Sequence, residues 1–205
     1  VAFSSISHMG YVVLGLGVWS AVGATAYNTG YWNMGVKGAM FQMIAHGITS
    51  AMMFFLVGVV YERSHHREID RLGGLWLKWP GYGGWSLLGF FAAMGLPGLC
   101  GFIGEVLVVL SVWKYSVTLA VISASVVILT AGYILWMIQR TLFGPQIERF
   151  KDVSDATLME MVPVVALVVA VLIIGIYPAF VTDVFTSGIE PIVDSLRQNV
   201  HAGIR

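Results

Sequence analysis

The chain has 205 residues, of which 58% are hydrophobic and only 11% are charged. Soluble domains carry about 25% charged residues, so this composition excludes an ordinary soluble domain and predicts a membrane protein. Eleven basic and eleven acidic side chains cancel to a formal net charge of zero, which leaves no basic surface for nucleic acid, so we expect no nucleic-acid partner.

Five apolar runs are long enough to cross a membrane as helices, because a bilayer core roughly 30 Å thick needs about 20 apolar residues. They lie at about 3–23, 36–60, 83–113, 117–139 and 161–181. The runs predict an all-α, polytopic membrane protein with about five transmembrane helices in a single membrane domain, 1–205. The first run begins directly after Val1, so we expect the chain to be a piece of a longer protein.

The third apolar run is too long for one straight membrane-crossing helix, because about 31 residues would extend roughly 46 Å. At its centre, seven residues contain Pro97 and three glycines, Gly95, Gly98 and Gly101. Pro97 lacks an amide hydrogen and disfavours the α conformation of the preceding residue, and the glycines add conformational entropy. We therefore predict a helix that is broken between about 95 and 101, a feature that is usually functional inside a membrane.

Basic residues are distributed unevenly between the two ends of the predicted helices, with seven on one side and four on the other. The seven are Arg63, Arg67, Arg71, Lys78, Arg140, Arg149 and Lys151, and the four are Lys37, Lys114, Arg197 and Arg205. Because cytoplasmic loops carry an excess of basic residues, the connections 61–82 and 140–160 are predicted to be cytoplasmic. The C-terminus is then expected on the outer side.

Three side chains in the apolar runs can exchange a proton near neutral pH: His8, His46 and Glu105. A charge at the bilayer centre costs about 3 kcal/mol even on the mildest insertion scale, so such groups normally lie against protein, water or a partner. Glu105 is predicted near the start of the second half of the broken helix. There, burial favours the neutral acid and the helix-start amides favour the carboxylate, a balance that a proton relay requires.

Polar residues follow one face of the second predicted helix. Gln42, His46 and Ser50 are four residues apart, so they fall on one side of a helix. Such a stripe can carry protons along hydrogen bonds, and His8 continues it more weakly on the first helix. For each histidine the structural alternative is a bridge between helices, but two histidines and Glu105 beside a broken helix favour transport.

No other pattern indicates an enzyme site or a cofactor. Cys100 is the only cysteine, so the chain has neither an internal disulfide nor a thiolate metal site. His65 and His66 stand in a charged loop without further ligands, which favours solvated residues over a metal site. The sequence contains no nucleotide-binding or GxSxG motif and no haem or iron–sulfur ligand set, so we expect no metal, cofactor or redox centre.

Several short motifs occur together in a characteristic order. They are Ser4-Ser-Ile-Ser-His-Met-Gly10, Gln42-Met-Ile-Ala-His-Gly47, Tyr61-Glu-Arg63, Gly95-Leu-Pro-Gly98, Gly101-Phe-Ile-Gly-Glu105 and Arg140-Thr-Leu-Phe-Gly144. In this order they resemble the antiporter-like membrane subunits of the proton-pumping NADH:quinone oxidoreductase, respiratory complex I, and among these the M-type (chain 4) group. The resemblance covers essentially the whole chain and is specific as a set.

The resemblance implies a fold and a set of roles. The family has fourteen helices with two inverted five-helix repeats, and this chain resembles the last repeat without its first helix, followed by the C-terminal helix. In that family the carboxylate matching Glu105 passes protons toward the outer side, and the histidines matching His8 and His46 belong to a central hydrophilic axis. The axis lysines lie earlier in the family's chain and are absent here. Lys37 and Lys114 cannot replace them, because both are assigned to connections between spans, so this piece alone should not pump.

The resemblance also implies a function, partners and a location. The chain would carry protons as a non-redox part of the translocase, with neighbouring antiporter-like subunits and the lipid bilayer as partners, in a bacterial inner membrane or an organelle membrane. A subunit of a multi-subunit Na⁺/H⁺ antiporter or membrane-bound hydrogenase, and a purely structural membrane subunit, are the alternatives. The stretch 24–35 departs from the family as a longer connection, for which we expect an extra surface contact.

Overall fold

The computed structural model describes residues 2–18, 29–145 and 154–203, and the regular elements in these ranges are helical. Besides a short 3₁₀ helix at Ile69–Arg71, they are α1 Ala2–Gly17, α2 Thr29–Ser64, α3 Leu75–Lys78, α4 Pro80–Met94, α5 Cys100–Trp113, α6 Val117–Thr141, α7 Leu158–Ile176 and α8 Ala179–Gly203. The predicted all-α fold is confirmed.

Within the described ranges, three helical stretches are long and apolar enough to cross a membrane: Gly30–Ser64, Val117–Thr141 and Leu158–Ile176. The apolar helix Cys100–Trp113 is shorter. It follows α4 after a break, so the two pieces together provide the length of one further span. α1 adds an apolar helix of 16 residues, and the end of the first predicted run, 19–23, lies outside the described residues.

The second helix is longer at both ends than the predicted run 36–60, because α2 extends from Thr29 to Ser64. Residues 29–35 of the predicted long connection are therefore helical, whereas residues 24–28 lie outside the described part of the chain. Lys37 lies within α2 and is half-buried, which corrects its assignment to a connection. Polar residues at the start of α2 hid this extension, since a helix that projects beyond the hydrocarbon does not need apolar side chains there.

The third run is broken at the predicted place. α4 ends at Met94, Gly95 follows with a φ of 80°, and α5 begins at Cys100. Pro97 and Gly98 lie in the turn between the two helices, where Gly98 has a φ of 92°. A glycine in the left-handed conformation is a common way to end a helix, because it has no Cβ atom to clash with the backbone.

Close backbone contacts surround this break. A Cβ atom on Gly101 would lie 2.6 Å from the carbonyl oxygen of Ala92, so the glycine allows α5 to start against the end of α4. A Cβ atom on Gly175 of α7 would lie 2.7 Å from the Cα atom of Leu99. Non-helical backbone inside a membrane must be enclosed by protein or water, and α7 provides part of that enclosure.

The two connections that were predicted to be cytoplasmic lie at the same end of the bundle. The amide of Trp76 donates to the carbonyl of Leu142 at 3.1 Å, and Arg140 pairs with Asp70 at 2.7 Å. These contacts join the connection 61–82 to the end of α6. The structure shows the shared end, and its cytoplasmic location stays a prediction.

Arg63 connects the helix ends at this end of the bundle. Its guanidinium donates two hydrogen bonds of 2.8 Å to the carboxylate of Glu160, which itself completes a capping box at the start of α7. Asp155, whose carbonyl also accepts from Arg63, accepts hydrogen bonds of 3.1 and 3.3 Å from the amides of Gly81 and Tyr82. The first half of the broken helix is therefore capped by a carboxylate from the α6–α7 connection.

One further helix, α8, follows the last predicted span and was not among the predicted runs. The last apolar run was expected to end at 181, but α7 ends at Ile176 and α8 starts at Ala179. The apolar residues Phe185 and Ile189 of α8 pack against Trp32 of α2. Polar residues between them lower the mean hydropathy, so this amphipathic helix does not resemble a membrane span in the sequence.

Candidate functional site

Three helices bring four of the predicted site residues together inside the bundle. His8 lies on α1, Gln42 and His46 lie on α2, and Glu105 lies on α5. His8 is 4% exposed, Gln42 1% and Glu105 2%, and His46 is half-buried. Such burial is unusual for ionisable groups, and it places their chemistry in a water-poor environment.

Glycines allow α2 to approach both of its neighbours. A Cβ atom on Gly15 of α1 would lie 2.6 Å from a carbonyl oxygen of α2. A Cβ atom on Gly38 of α2 would lie 2.8 Å from the Cβ atom of Leu107, and one on Gly104 of α5 would lie 2.9 Å from the Cβ atom of Gln42. Small residues at these contacts bring the helix backbones close, as is common between membrane helices.

The Nδ1 atom of His8 stands at the centre of the cluster. It lies 3.0 Å from Nε2 of Gln42 and 3.3 Å from Oε1 of Glu105. One ring nitrogen cannot donate to a carboxylate and accept from an amide at the same time. His8 therefore has two exclusive pairings: a protonated Nδ1 donates to Glu105, and a deprotonated Nδ1 accepts from Gln42.

His46 lies beside His8, with their ring centroids 5.2 Å apart and the ring planes inclined by 37°. Ser50, one turn further along α2, donates its hydroxyl hydrogen to the carbonyl of Gly47 at 3.3 Å. The side-chain contacts described here thus reach from Glu105 through His8 to His46, while Ser50 bonds to its own helix. A role for Ser50 in a proton path stays a prediction.

The carboxyl group of Glu105 lies against the helix break. Because α5 begins at Cys100, Glu105 is in the second turn of this helix. A Cβ atom on Gly95 would lie 2.7 Å from Oε2 and 3.3 Å from Cδ of Glu105, so the carboxyl group touches the residue that ends α4.

Three buried polar atoms of the cluster have no hydrogen-bond partner in the described part of the chain. They are Oε1 of Gln42, Nδ1 of His46 and Oε2 of Glu105. Buried polar atoms are nearly always paired, because an unpaired one costs about 1–3 kcal/mol.

The sequence did not predict that two glycines, Gly95 and Gly104, touch the cluster directly. Gly95 was predicted only as part of the break, and its contact with Glu105 depends on the three-dimensional turn. Gly104, which packs on Gln42, was not singled out. Its spacing of three residues from Gly101 was the available signal, since small residues three or four positions apart mark close helix contacts.

Comparisons with known proteins show to which family the chain is similar. Residues 1–131 match the family described as NADH:quinone oxidoreductase/Mrp antiporter, TM. Over 205 residues, the chain is 40% identical to the NADH-quinone oxidoreductase subunit M of Rhodobacter capsulatus, covering all of this chain and 37% of that protein. Over 193 residues, it is 36% identical to the F(420)H(2) dehydrogenase subunit M of Methanosarcina mazei, covering 94% of this chain and 37% of that protein.

A solved structure shows the same fold. A chain of respiratory complex I from Thermus thermophilus with bound NADH superimposes with a TM-score of 0.81 and 30% sequence identity, covering 97% of this chain and 38% of that chain. The sequence therefore spans little more than a third of the length of the relatives that it matches. With a family match over residues 1–131, the chain belongs to the NADH:quinone oxidoreductase/Mrp antiporter family of membrane proteins.

Proposed function

We propose that the chain is part of a proton-translocating membrane subunit of an NADH:quinone oxidoreductase, complex I. Its relative in Rhodobacter capsulatus is named as subunit M of an NADH-quinone oxidoreductase, and the similar solved structure is a respiratory complex I. These names support the choice of complex I. Because the chain covers 37% of that relative, the activity is proposed for the whole protein in its assembly.

The buried contact between His8 and Glu105 is the observation that carries this proposal. The two groups are 3.3 Å apart, and their side chains are 6% and 3% exposed. A hydrogen bond of this length in a resting state shortens easily, so a proton can pass between them after a small movement. An imidazole and a carboxyl group are suited to this role, because histidine changes its charge near neutral pH and a buried carboxyl group responds strongly to its surroundings.

In the proposed mechanism a proton moves from His8 to Glu105. The Nδ1–H bond of His8 breaks and an O–H bond forms at Oε1 of Glu105, so an imidazolium–carboxylate pair becomes two neutral groups. The freed lone pair of Nδ1 then accepts a hydrogen bond from Nε2 of Gln42, which lies 3.0 Å away. Gln42 thereby stabilises the state after the transfer.

Nearby charge controls the direction of this transfer. In a water-poor interior the energy of an ionised pair depends strongly on other charges, because Coulomb interactions are weakly screened. A charge that moves elsewhere in the assembly would therefore shift the proton between His8 and Glu105, which links the site to remote electron transfer. His46, with its ring 5.2 Å from that of His8, would resupply the proton, and Ser50 would extend the path along α2.

We further propose that this chain serves translocation alone and that the redox reaction takes place in other subunits. Its sequence has one cysteine and no iron–sulfur or haem ligand set. Its partners would be neighbouring antiporter-like subunits and the lipids of a bacterial inner membrane. Large apolar side chains on the outside of the bundle support both partners; Ile128 and Ile176, for example, are each 73% exposed.

Replacement of Glu105 by Gln tests the proposal, because it keeps the size and a hydrogen-bonding group but removes the titratable proton. We expect the complex to assemble normally, while proton pumping per electron falls about ten-fold or more, as when a general acid–base group is removed. Glu105→Asp should keep part of the activity. Glu105→Ala should also reduce assembly, since it leaves His8 without an acceptor at a cost of about 1–3 kcal/mol.

The measurement is proton pumping alongside electron transfer in membranes that carry each variant, normalised to the amount of assembled complex. Glu68→Gln provides the control, because the side chain of Glu68 is 66% exposed and lies outside the cluster. This control should pump as the unchanged complex does. Full pumping by Glu105→Gln at normal assembly would reject a proton-carrying role for Glu105.

A further inference from the structure

The turn that breaks the third span touches the carboxyl group at the centre of the site. Gly95 has a φ of 80°, and a Cβ atom built on it would lie 2.7 Å from Oε2, 3.3 Å from Cδ and 3.5 Å from Oε1 of Glu105. All three nearest atoms therefore belong to the same carboxyl group. The hydrogen atoms of the Gly95 Cα atom form the surface on which this group rests.

We infer that Gly95 is a positioning residue for the Glu105 carboxyl group. By lacking a side chain, it lets the group occupy the place in which Oε1 is 3.3 Å from Nδ1 of His8. The inference rests on the proposed role of Glu105 as a proton carrier. It extends that role from the acid to the backbone turn that holds the acid in position.

Two different requirements for glycine can be separated within the break. Gly95 and Gly98 both have left-handed backbone conformations, with φ values of 80° and 92°. A Cβ atom on Gly98 would meet nothing within 4 Å, whereas one on Gly95 would overlap the Glu105 carboxyl group. Position 98 thus requires glycine only because of its backbone conformation. Position 95 requires glycine both because of its backbone conformation and because a side chain would have no space.

An alanine at position 95 would displace the carboxyl group rather than the backbone. The overlapping atom is the flexible end of the Glu105 side chain, so it can withdraw from 2.7 Å to an ordinary contact of at least 3.4 Å. That movement removes Oε1 from its position beside Nδ1 of His8. Misplacing a reacting group by about 1 Å can slow a reaction by about 100-fold, so proton transfer should suffer more than assembly does.

The test compares Gly95→Ala with Gly98→Ala in the complete complex, in membranes. Both variants carry an alanine at positive φ, so we expect a similar loss of assembled complex. Proton pumping per electron, normalised to assembled complex, should fall about 10- to 100-fold in Gly95→Ala and should stay near the normal value in Gly98→Ala. The pH dependence of pumping should change in Gly95→Ala alone.

A second substitution provides a rescue. Aspartate is shorter than glutamate by one methylene group, so Glu105→Asp withdraws the carboxyl group and makes room for a Cβ atom at position 95. The double variant Gly95→Ala/Glu105→Asp should therefore pump better than Gly95→Ala alone, and its loss should be smaller than the product of the two single losses. If Gly95→Ala fails to assemble, recovery of assembly in the double variant is the corresponding expected result.

Equal pumping by Gly95→Ala and Gly98→Ala would overturn the inference. It would also be overturned if the loss of pumping in the double variant equalled the product of the two single losses. If Gly95→Ala fails to assemble, a double variant that also fails to assemble would overturn it. Failure of the proposed function has a different signature, because Glu105→Gln would then pump normally. If Glu105→Gln is inactive while Gly95→Ala behaves as Gly98→Ala does, only the positioning role of Gly95 is lost.

Discussion

At the scale of single residues, the site depends on one nitrogen atom with two alternative partners. Nδ1 of His8 faces an amide at 3.0 Å and a carboxyl oxygen at 3.3 Å. Because the amide nitrogen of Gln42 can only donate and a carboxylate can only accept, each partner stabilises a different protonation state of Nδ1. Gln42 is therefore as much a part of the site as the two titratable groups, although it never carries the proton itself.

Gln42→Leu should slow proton transfer without preventing assembly. Leucine has a similar size but cannot donate to His8, so the state after transfer loses a net hydrogen bond of about 0.5–1.5 kcal/mol. Such a loss corresponds to about a 2- to 12-fold lower rate of pumping. The measurement is the initial pumping rate per assembled complex, with Gln139→Leu as control because Gln139 is exposed at the end of α6. Equal rates in the two variants would contradict a role for the Gln42 amide.

At the scale of helices, the cluster exists because α2 and α5 pack with very little space between their backbones. A Cβ atom on Gly104 would lie 2.9 Å from Cβ and 3.0 Å from Cα of Gln42. These atoms belong to the helix itself and cannot turn away as the end of a side chain can. The distance between α2 and α5 thus sets the position of Gln42 relative to Glu105, which follows Gly104 on α5.

Gly104→Ala should therefore destabilise the subunit. Overpacking of a close contact costs about 1–3 kcal/mol, and here the strain can be relieved only by moving α2 away from α5. Gly132→Ala on α6 should have no such cost, because a Cβ atom there would meet nothing within 4 Å. For both variants, the thermal stability of the assembled complex is measured from the temperature at which this subunit loses solubility. Equal stability of the two variants would contradict the packing argument.

Local chemistry explains which features of the helices could be predicted from sequence. Pro97 and its neighbouring glycines break a helix through their own backbone properties, so the break was predictable at the residue level. The position of Glu105 in an apolar run and the spacing of Gln42 and His46 are likewise local patterns. The contact between the Glu105 carboxyl group and Gly95 depends on the three-dimensional course of the turn, and no pattern in the sequence contains that information.

The start of α2 and the presence of α8 were harder to predict for a different reason. Hydropathy marks the part of a helix that lies in hydrocarbon, so it did not reveal the first turns of α2, which begin at Thr29. It also did not reveal α8, whose apolar residues Phe185 and Ile189 are separated by polar ones. An amphipathic spacing of four residues was the available signal for α8, since such a face packs against a neighbour rather than crossing a membrane.

At the scale of the whole molecule, one end of the bundle is held together by charged groups. The Arg63–Glu160 pair joins the end of α2 to the start of α7, with side-chain exposures of 11% and 23%. By contrast, the pair of Arg71 and Glu68 is exposed, at 58% and 66%, and joins residues only three positions apart. Surface pairs are worth about 0–1 kcal/mol, so the two pairs should differ clearly in their effect on stability.

Arg63→Met should lower the thermal stability of the subunit substantially, whereas Arg71→Met should change it little. Methionine keeps much of the apolar stem but leaves Glu160 without its two charged hydrogen bonds, which are worth about 1.5–3 kcal/mol. Calorimetry or thermal inactivation of the purified complex provides the measurement. Similar unfolding temperatures for the two variants would show that the partly buried pair does not hold the helix ends together.

The same end of the bundle is predicted to face the cytoplasm, and cysteine labelling in intact cells tests this orientation. Ser64 is unsuitable as a labelling site, because it is 0% exposed and its hydroxyl donates to the carbonyl of His66. Glu68 has an exposed side chain on this end, whereas Tyr115, between α5 and α6 on the opposite end, is 45% exposed. The native Cys100 is 0% exposed, so it should add no background.

We expect a membrane-impermeant maleimide added outside to label Tyr115→Cys directly and Glu68→Cys only after the membrane is opened, because the basic residues of the joined connections favour the cytoplasmic side. The reverse pattern would invert the orientation of the bundle, and with it the direction in which a proton leaves Glu105.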